Sequence, residues 1–110
     1  MTQVVQVEQV ERVVVMTLDR PGQLNAIDRQ VLSEFDDALG WIESDNDVGA
    51  MVVTGGGRAF CAGADLAELS SLETGAEFRS WIHGFSDVLD RLVRCPKPSV
   101  AAVDGVAFGG

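Results

Sequence analysis

The chain has 110 residues, of which 46% are apolar and 23% are charged, with 12 glycines and only 3 prolines. This composition is typical of a globular domain and excludes a disordered or fibrous chain. A total of 8 lysines and arginines against 17 aspartates and glutamates gives a net charge of −9. That charge disfavours nucleic acid and anionic membrane surfaces as partners, because both are negatively charged.

Targeting and metal-binding patterns do not occur in the sequence. The N-terminus lacks the basic start and apolar run of a signal peptide, and no apolar stretch reaches membrane-spanning length, so we expect a cytoplasmic protein. Cys61 and Cys95 match no metal-ligand spacing, and His83 is the single histidine. We therefore expect two reduced thiols, with Cys61 a small buried side chain, and no metal site.

The first half of the chain predicts strand, strand, helix and strand in that order. Two β-branched runs, 4–7 and 13–18, predict a hairpin whose turn is the polar stretch 8–12. Asp28 precedes a helical repeat of apolar residues and is predicted to cap that helix. The apolar run 49–54 then predicts a strand buried on both faces of a parallel sheet.

The second half repeats the order of helix and strand. Thr74 and Glu77 have the spacing of a capping box, which opens a long helix that ends at Pro96. The apolar run 99–103 predicts another strand. The fold class is therefore α/β. We expect both tryptophans, Trp41 and Trp81, to pack in the core.

Two glycine-containing segments each follow a predicted buried strand, the first at 57–66 and the second at 104–110. Ligands bind at strand ends in α/β sheets, and small residues there let backbone N–H groups approach a ligand closely. Two such segments can each direct one N–H at the same oxygen, which is the geometry of an oxyanion hole. Simple turns after the strands are the alternative interpretation of these glycines. A phosphate-binding loop is disfavoured, since the required glycine spacing and lysine are missing.

Three stretches in order, 18–26, 59–66 and 96–110, resemble motifs of the enoyl-CoA hydratase/isomerase (crotonase) superfamily. The resemblance implies a crotonase-like spiral of repeated ββα turns that binds acyl-CoA thioesters. It also implies that residues 1–110 are the N-terminal part of a single spiral domain. The remainder of that domain and its C-terminal helices would follow Gly110.

The resemblance implies particular site residues. Backbone N–H groups of Ala64 and Gly110 would hold the thioester oxygen as it gains negative charge. CoA would lie along the backbone of Ala26, Ala62, Ala64, Asp65, Leu66 and Gly110. No separate cofactor is expected, because coenzyme A is part of the substrate. The catalytic acid and base of a hydratase would lie beyond Gly110.

The resemblance also implies an activity. We expect an enoyl-CoA hydratase that adds water to a 2-enoyl-CoA in syn geometry, as in the β-oxidation of fatty acids, and assembles as a homotrimer or a dimer of trimers. The alternatives are an isomerase, hydrolase or decarboxylase of the same type. A protein that binds acyl-CoA without catalysis is a further alternative.

Polar residues near these motifs have two interpretations each. Asp65 adjoins the proposed donor and is either an acid or, as we favour, the cap of a short helix that begins there. Arg20 and Arg58 flank the pocket segments and either contact CoA phosphates or lie in surface turns. Ala67 stands where some relatives have a substrate-contacting lysine, so no charged contact to CoA is expected from that side.

Overall fold

A computed structural model describes residues 2–110 and shows an α/β fold. Its elements in chain order are β1 Val5–Val10, β2 Val13–Leu18, α1 Arg29–Ser44, β3 Ala50–Gly55, β4 Ala59–Cys61, α2 Leu66–Ser70, α3 Gly75–Arg94, β5 Ser99–Ala102 and β6 Val106–Ala107. One turn of 3-10 helix, Pro21–Gln23, lies between β2 and α1. Within the described part of the chain, no helix combines the length and apolar character that crossing a membrane requires.

The strands form two sheets. Four of them lie in the order β1-β2-β3-β5, and β4 pairs with β6 in a separate two-stranded sheet. β1 and β2 are antiparallel, whereas β2, β3 and β5 are parallel, with α1 and α3 as the crossover connections. The carboxyl ends of the three parallel strands therefore lie at one edge of the sheet, which is where the residues after each strand can meet.

The core lies between the sheet and α1. Alternate residues of β2 are buried, and α1 buries the apolar face that its helical repeat predicts. The core includes Val14, Met16, Leu18, Val31, Phe35, Ala38, Leu39, Ile42 and Met51. Asp28 caps α1 as predicted, because its Oδ1 accepts the Val31 N–H at 2.9 Å. Local signals in the sequence were sufficient to predict α1, its buried face and its cap.

The strands differ from the sequence-based prediction in burial and in length. The sequence predicts β3 to be buried on both faces and β5 to be buried, but β3 fully buries only alternate residues and the edge strand β5 is exposed at all four positions. β1 continues to Val10 through residues that were assigned to a turn, and the reversal takes only Glu11 and Arg12. β1 is an edge strand in which only Val5 is buried, so polar side chains face solvent without interrupting it. β4 and β6 have three and two residues, which is too short for an alternating pattern to reveal them.

The long helix α3 buries less of its apolar face than the sequence predicts. Trp81 is buried as expected, whereas Phe78 of the same face is exposed. Ion pairs join α3 to α1, since the Arg91 guanidinium lies 2.8 Å from Asp36 Oδ1 and 3.0 Å from Glu43 Oε1. Charged contacts thus supplement apolar packing between these two helices.

The prediction that Trp41 packs in the core is wrong. Its side chain is exposed, and its indole Nε1 donates a hydrogen bond to Asp45 Oδ2 at 2.9 Å. Each helical residue advances by roughly 100°, so the neighbour of buried Ile42 points away from the core face. An aspartate one turn later then satisfies the indole N–H at the surface.

Asn25 connects the residues after β2 with those after β3. It is buried, and its φ of 58° lies in the left-handed region that asparagine tolerates. Its Oδ1 accepts the Arg20 N–H at 2.8 Å, and its Nδ2 donates to the carbonyls of Gly56 and Ala59, both at 2.9 Å. One side chain therefore satisfies three backbone groups from two segments.

Replacing this side chain tests its structural role. We expect Asn25→Ala to lower the free energy of unfolding by about 3 kcal/mol, since buried backbone groups lose their partners. Urea denaturation measures the change. The matched control is Asn46→Ala at an exposed loop position, where we expect a change within about 0.5 kcal/mol. Equal effects of the two substitutions would contradict this role.

Candidate functional site

The first glycine segment, 57–66, is attached to the residues after β2 by a short backbone ladder. The Ala62 N–H donates to the Leu24 carbonyl at 3.0 Å. Ile27 then donates its N–H to the Gly63 carbonyl at 2.8 Å and accepts the Asp65 N–H at 2.9 Å. These bonds form a parallel bridge between Ile27 and Ala64. The path of the main chain around Ala64 is thereby fixed on both sides.

The same ladder leaves the N–H of Ala64 unused. In a parallel bridge, Ile27 bonds to the residues before and after Ala64, so the N–H of Ala64 itself points to the opposite side. Within residues 2–110 this N–H donates to no backbone or side-chain acceptor. Ala64 is half-buried. The segment therefore presents one ordered, unpaired donor.

The second glycine segment, 104–110, packs directly against the first. β6 pairs with β4, and the Phe108 N–H donates to the Cys61 carbonyl at 2.9 Å. A Cβ on Gly63 would lie 2.9 Å from the Phe108 carbonyl oxygen and 3.3 Å from the Gly109 Cα. Gly63 and Gly109 also have φ values of 91° and 65°, which favour glycine. The two backbones approach this closely because neither residue has a side chain.

The predicted donors Ala64 and Gly110 each follow one residue after this contact. Gly110 lies against α3, since a Cβ there would be 2.6 Å from two ring atoms of Phe85. The structure thus brings the two glycine segments together, as the sequence predicts.

An apolar cavity of about 320 Å³ adjoins the second glycine segment. Its walls come from both sheets, from α1 and α3, and from the residues before α1 and after β6; they include Ile27, Phe35, Leu89, Phe108, Gly109 and Gly110. Of the predicted site residues, Gly110 lines this cavity, whereas Ala26, Ala62, Ala64, Asp65 and Leu66 lie outside its lining. Those five residues instead lie in or beside the backbone ladder, with the Leu66 side chain 75% exposed at the start of α2.

Asp65 caps α2, as we favoured from the sequence. Its Oδ1 accepts the Glu68 N–H at 3.1 Å, while its Oδ2 lies 2.9 Å from Arg20 Nη1. The hydrogen bond from Arg20 holds the pKa of this carboxyl below its usual range, even though burial acts in the opposite direction. An ionised carboxylate with both oxygens occupied is a poor proton donor at neutral pH.

The two flanking arginines differ in environment. The Arg20 side chain is mostly buried, and besides Asp65 it contacts the Ala26 carbonyl at 2.7 Å and Asp28 Oδ2 at 3.5 Å. Arg58 is exposed. The sequence places Arg20 beside the pocket but does not predict its partners. The sequence feature that could have identified these partners is charge, since Arg20, Asp28 and Asp65 all lie at the predicted sheet edge.

Cys61 is a buried side chain, as predicted. Burial raises the pKa of its thiol, although the Gly63 N–H lies 3.4 Å from Sγ and acts in the opposite direction. The thiol is therefore protonated near neutral pH and contributes volume rather than reactivity. His83 is exposed on α3 and has no place in this site.

Comparisons with known proteins agree with this arrangement. The family model described as enoyl-CoA hydratase/isomerase matches residues 8–110. A probable enoyl-CoA hydratase of Mycobacterium bovis is 38% identical over 104 residues, which cover 94% of this chain and 39% of that protein. A carboxymethylproline synthase of Pectobacterium carotovorum is 37% identical over 103 residues, covering 93% of this chain and 41% of that protein.

A solved structure extends the likeness to the fold. The crystal structure of an enoyl-CoA hydratase from Bacillus anthracis matches with a TM-score of 0.91 and 29% identity, covering 96% of this chain and 41% of that one. The predicted crotonase-like α/β architecture is therefore confirmed for this part of the fold. The chain spans about two-fifths of the length of the curated relatives it matches, at 39% and 41% of the two above.

The contact between the glycine segments can be tested by adding one methyl group. We expect Gly63→Ala to lower the free energy of unfolding by about 1–3 kcal/mol, because the Cβ meets the Phe108 carbonyl and φ is positive. Gly84→Ala in α3 is the matched control, since a Cβ there meets nothing within 4 Å. Chemical denaturation compares the two. An unaffected Gly63→Ala protein would show that the segments are not in close contact.

Thiol reactivity tests the environment of Cys61. In the folded protein we expect Cys61 to react with a disulfide reagent at pH 8 far more slowly than Cys95, which is only half-buried. The variants Cys61→Ser and Cys95→Ser isolate each thiol, and the difference should vanish in denaturant. Comparable rates for the two folded single-cysteine proteins would contradict the burial of Cys61.

Proposed function

Since the chain belongs to the enoyl-CoA hydratase/isomerase family, we propose that it is the N-terminal part of an enzyme that binds acyl-CoA thioesters and hydrates a 2-enoyl-CoA. The observation that carries this proposal is the contact between the two glycine segments beside an unpaired Ala64 N–H. Relatives named enoyl-CoA hydratase, at 38% identity, support the choice of reaction.

In this proposal the N–H groups of Ala64 and Gly110 bind the thioester oxygen. Addition of water at the β-carbon of the enoyl group moves electron density onto that oxygen and produces an enolate. Donors that are already in position stabilise this charge without reorganising, so they act mainly on the transition state. The ladder to Ile27 holds the peptide of Ala64 before substrate binds.

The proton transfers are assigned to groups outside residues 1–110. The carboxylate that adjoins the proposed donor, Asp65, has a lowered pKa and an arginine partner, so it does not serve as the acid. The thiol of Cys61 has a raised pKa and does not serve as a base. Residues 1–110 therefore contribute binding and oxyanion stabilisation, and the added hydrogen and hydroxyl require other side chains.

We propose that the CoA moiety follows the backbone of Ala26, Ala62, Asp65 and Leu66. Two features support this assignment. Ala62 and Asp65 form hydrogen bonds of the ladder beside Ala64, and Ala26 and Leu66 adjoin it in the chain. Leu66 also exposes an aliphatic side chain there. The acyl group would extend toward the apolar cavity that Gly110 lines. Peptide groups and aliphatic side chains are uncharged, so they can bind the polyanionic CoA despite the net charge of −9.

A second reaction on the same oxyanion site is the alternative. A relative named carboxymethylproline synthase is 37% identical to this chain, almost as similar as the hydratase at 38%. An isomerase, hydrolase or decarboxylase, or a protein that binds acyl-CoA without catalysis, would use the same two donors. We also propose a cytoplasmic homotrimer or dimer of trimers acting in β-oxidation, which rests on the family resemblance alone.

The donor role can be tested at Gly110 with a matched pair of variants in the full protein that carries this chain. Gly110→Pro removes the N–H, whereas Gly110→Ala adds a similar Cβ beside Phe85 and keeps the N–H. With crotonyl-CoA, we expect proline to lower the rate a further 10² to 10³ fold, roughly, relative to alanine. Loss of the absorbance of the conjugated thioester measures hydration.

The control separates donor loss from crowding. Equal rates for the proline and alanine variants would show that Gly110 is not a donor. A wild-type protein that binds crotonyl-CoA but does not hydrate it would favour the alternatives above.

A further inference from the structure

The Arg20 guanidinium lies between the carboxylates that cap two helices. Asp28 caps α1 and Asp65 caps α2, and each uses Oδ1 to accept a helix N–H. Each also directs Oδ2 at Arg20, at 3.5 Å for Asp28 and 2.9 Å for Asp65. The Arg20 side chain is only 16% exposed. One buried cation thus joins the starts of two helices.

Arg20 also contacts the main chain of the ladder. Its Nη1 donates to the Ala26 carbonyl at 2.7 Å, next to Ile27, while the same nitrogen binds Asp65. The peptide of Ala64 lies between the two residues that Ile27 binds, Gly63 and Asp65. Asp65 binds Arg20 through its side chain and Ile27 through its N–H, so Arg20 holds one of the two residues that flank the Ala64 peptide.

The planar shape of arginine suits this arrangement. Its donors diverge in a fixed fork, so one group can meet a carbonyl and two carboxylates at once. A lysine has a single nitrogen on a flexible stem and cannot hold the same three acceptors in fixed directions. Both capping carboxylates carry negative charge, and a neutral side chain at position 20 would leave them facing each other.

From this geometry we infer that Arg20 is a positioning residue for the Ala64 donor, acting through Asp65, and not a ligand of CoA phosphates. The inference rests on the proposed function, in which the Ala64 N–H must point at the thioester oxygen. Arg20 orients the peptide before substrate binds, and it touches no reacting atom.

The test uses Asp65→Asn and Arg20→Lys in the full protein that carries this chain. Asparagine caps helices as well as aspartate does, so Asp65→Asn keeps the cap of α2 and removes the charge that Arg20 binds. We expect each variant to lower kcat for crotonyl-CoA by about 10- to 100-fold with KM nearly unchanged. The double variant should be no worse than the more impaired single variant.

A second readout is independent of how much protein is folded. Acetoacetyl-CoA is a β-ketoacyl thioester whose enolate absorbs in the near ultraviolet, and an oxyanion hole lowers the pKa at which the bound thioester ionises. We expect wild-type protein to lower that pKa, and each variant to return it toward the value of free acetoacetyl-CoA by about one unit or more. Arg94→Gln, at an exposed ion pair of α3, is the matched control and should behave as wild type.

Each outcome decides between the roles. A raised KM in Arg20→Lys with unchanged kcat, together with normal Asp65→Asn protein, would make Arg20 a phosphate ligand and overturn the inference. Variants that lower the enolate pKa as fully as wild type would also overturn it while leaving the proposed function intact. A wild-type protein that fails to lower that pKa overturns the proposed function itself.

Discussion

The ion pair between Arg20 and Asp65 is the interaction on which the candidate site depends. It joins the residues after β2 to the residues after β4, which are 45 positions apart in the sequence. Charge-assisted hydrogen bonds of this kind are stronger than neutral ones, and partial burial protects them from salt. Breaking the pair would leave a mostly buried guanidinium with only one carboxylate nearby.

The remaining contacts at this edge of the sheet are made by main-chain groups. The Asn25 side chain binds three of these groups, and the ladder to Ile27 pairs four more in two hydrogen bonds. The close approach of Gly63 to Gly109 brings the second glycine segment alongside. The proposed chemistry needs only neutral N–H dipoles, so a chain of net charge −9 can still stabilise an anion. Local geometry, rather than total charge, determines what this surface can bind.

Much of the fold was predictable because its signals are local. The apolar face of α1, the caps Asp28 and Asp65, and the position of strand β3 all follow from periodicity and from short-range hydrogen bonding. The meeting of the two glycine segments was also predictable, since both follow parallel strands. Three motifs further identified the family.

The remaining features depend on tertiary contacts that no local pattern encodes. β4 and β6 exist only because they pair with each other, and Trp41 faces solvent because its helix presents a different side to the sheet. The partners of Arg20 likewise depend on the tertiary fold, which brings together residues that are distant in the sequence. The sequence also does not predict that the Ala64 N–H lacks a hydrogen-bond acceptor, because this depends on which residues Ile27 binds.

A donor that belongs to the peptide backbone has a consequence for how such a protein diverges. Mutation exchanges side chains but leaves every non-proline N–H in place, so most substitutions at position 64 retain the donor. At the proposed oxyanion site, selection can therefore alter the shape and polarity around the bound oxygen while the N–H donor is inherited unchanged. The residues that cannot vary freely are those that shape the backbone, such as Gly63 with its φ of 91°, and they carry no reactive group themselves. In such a lineage, new reactions can arise while the proposed oxyanion site keeps its backbone donors.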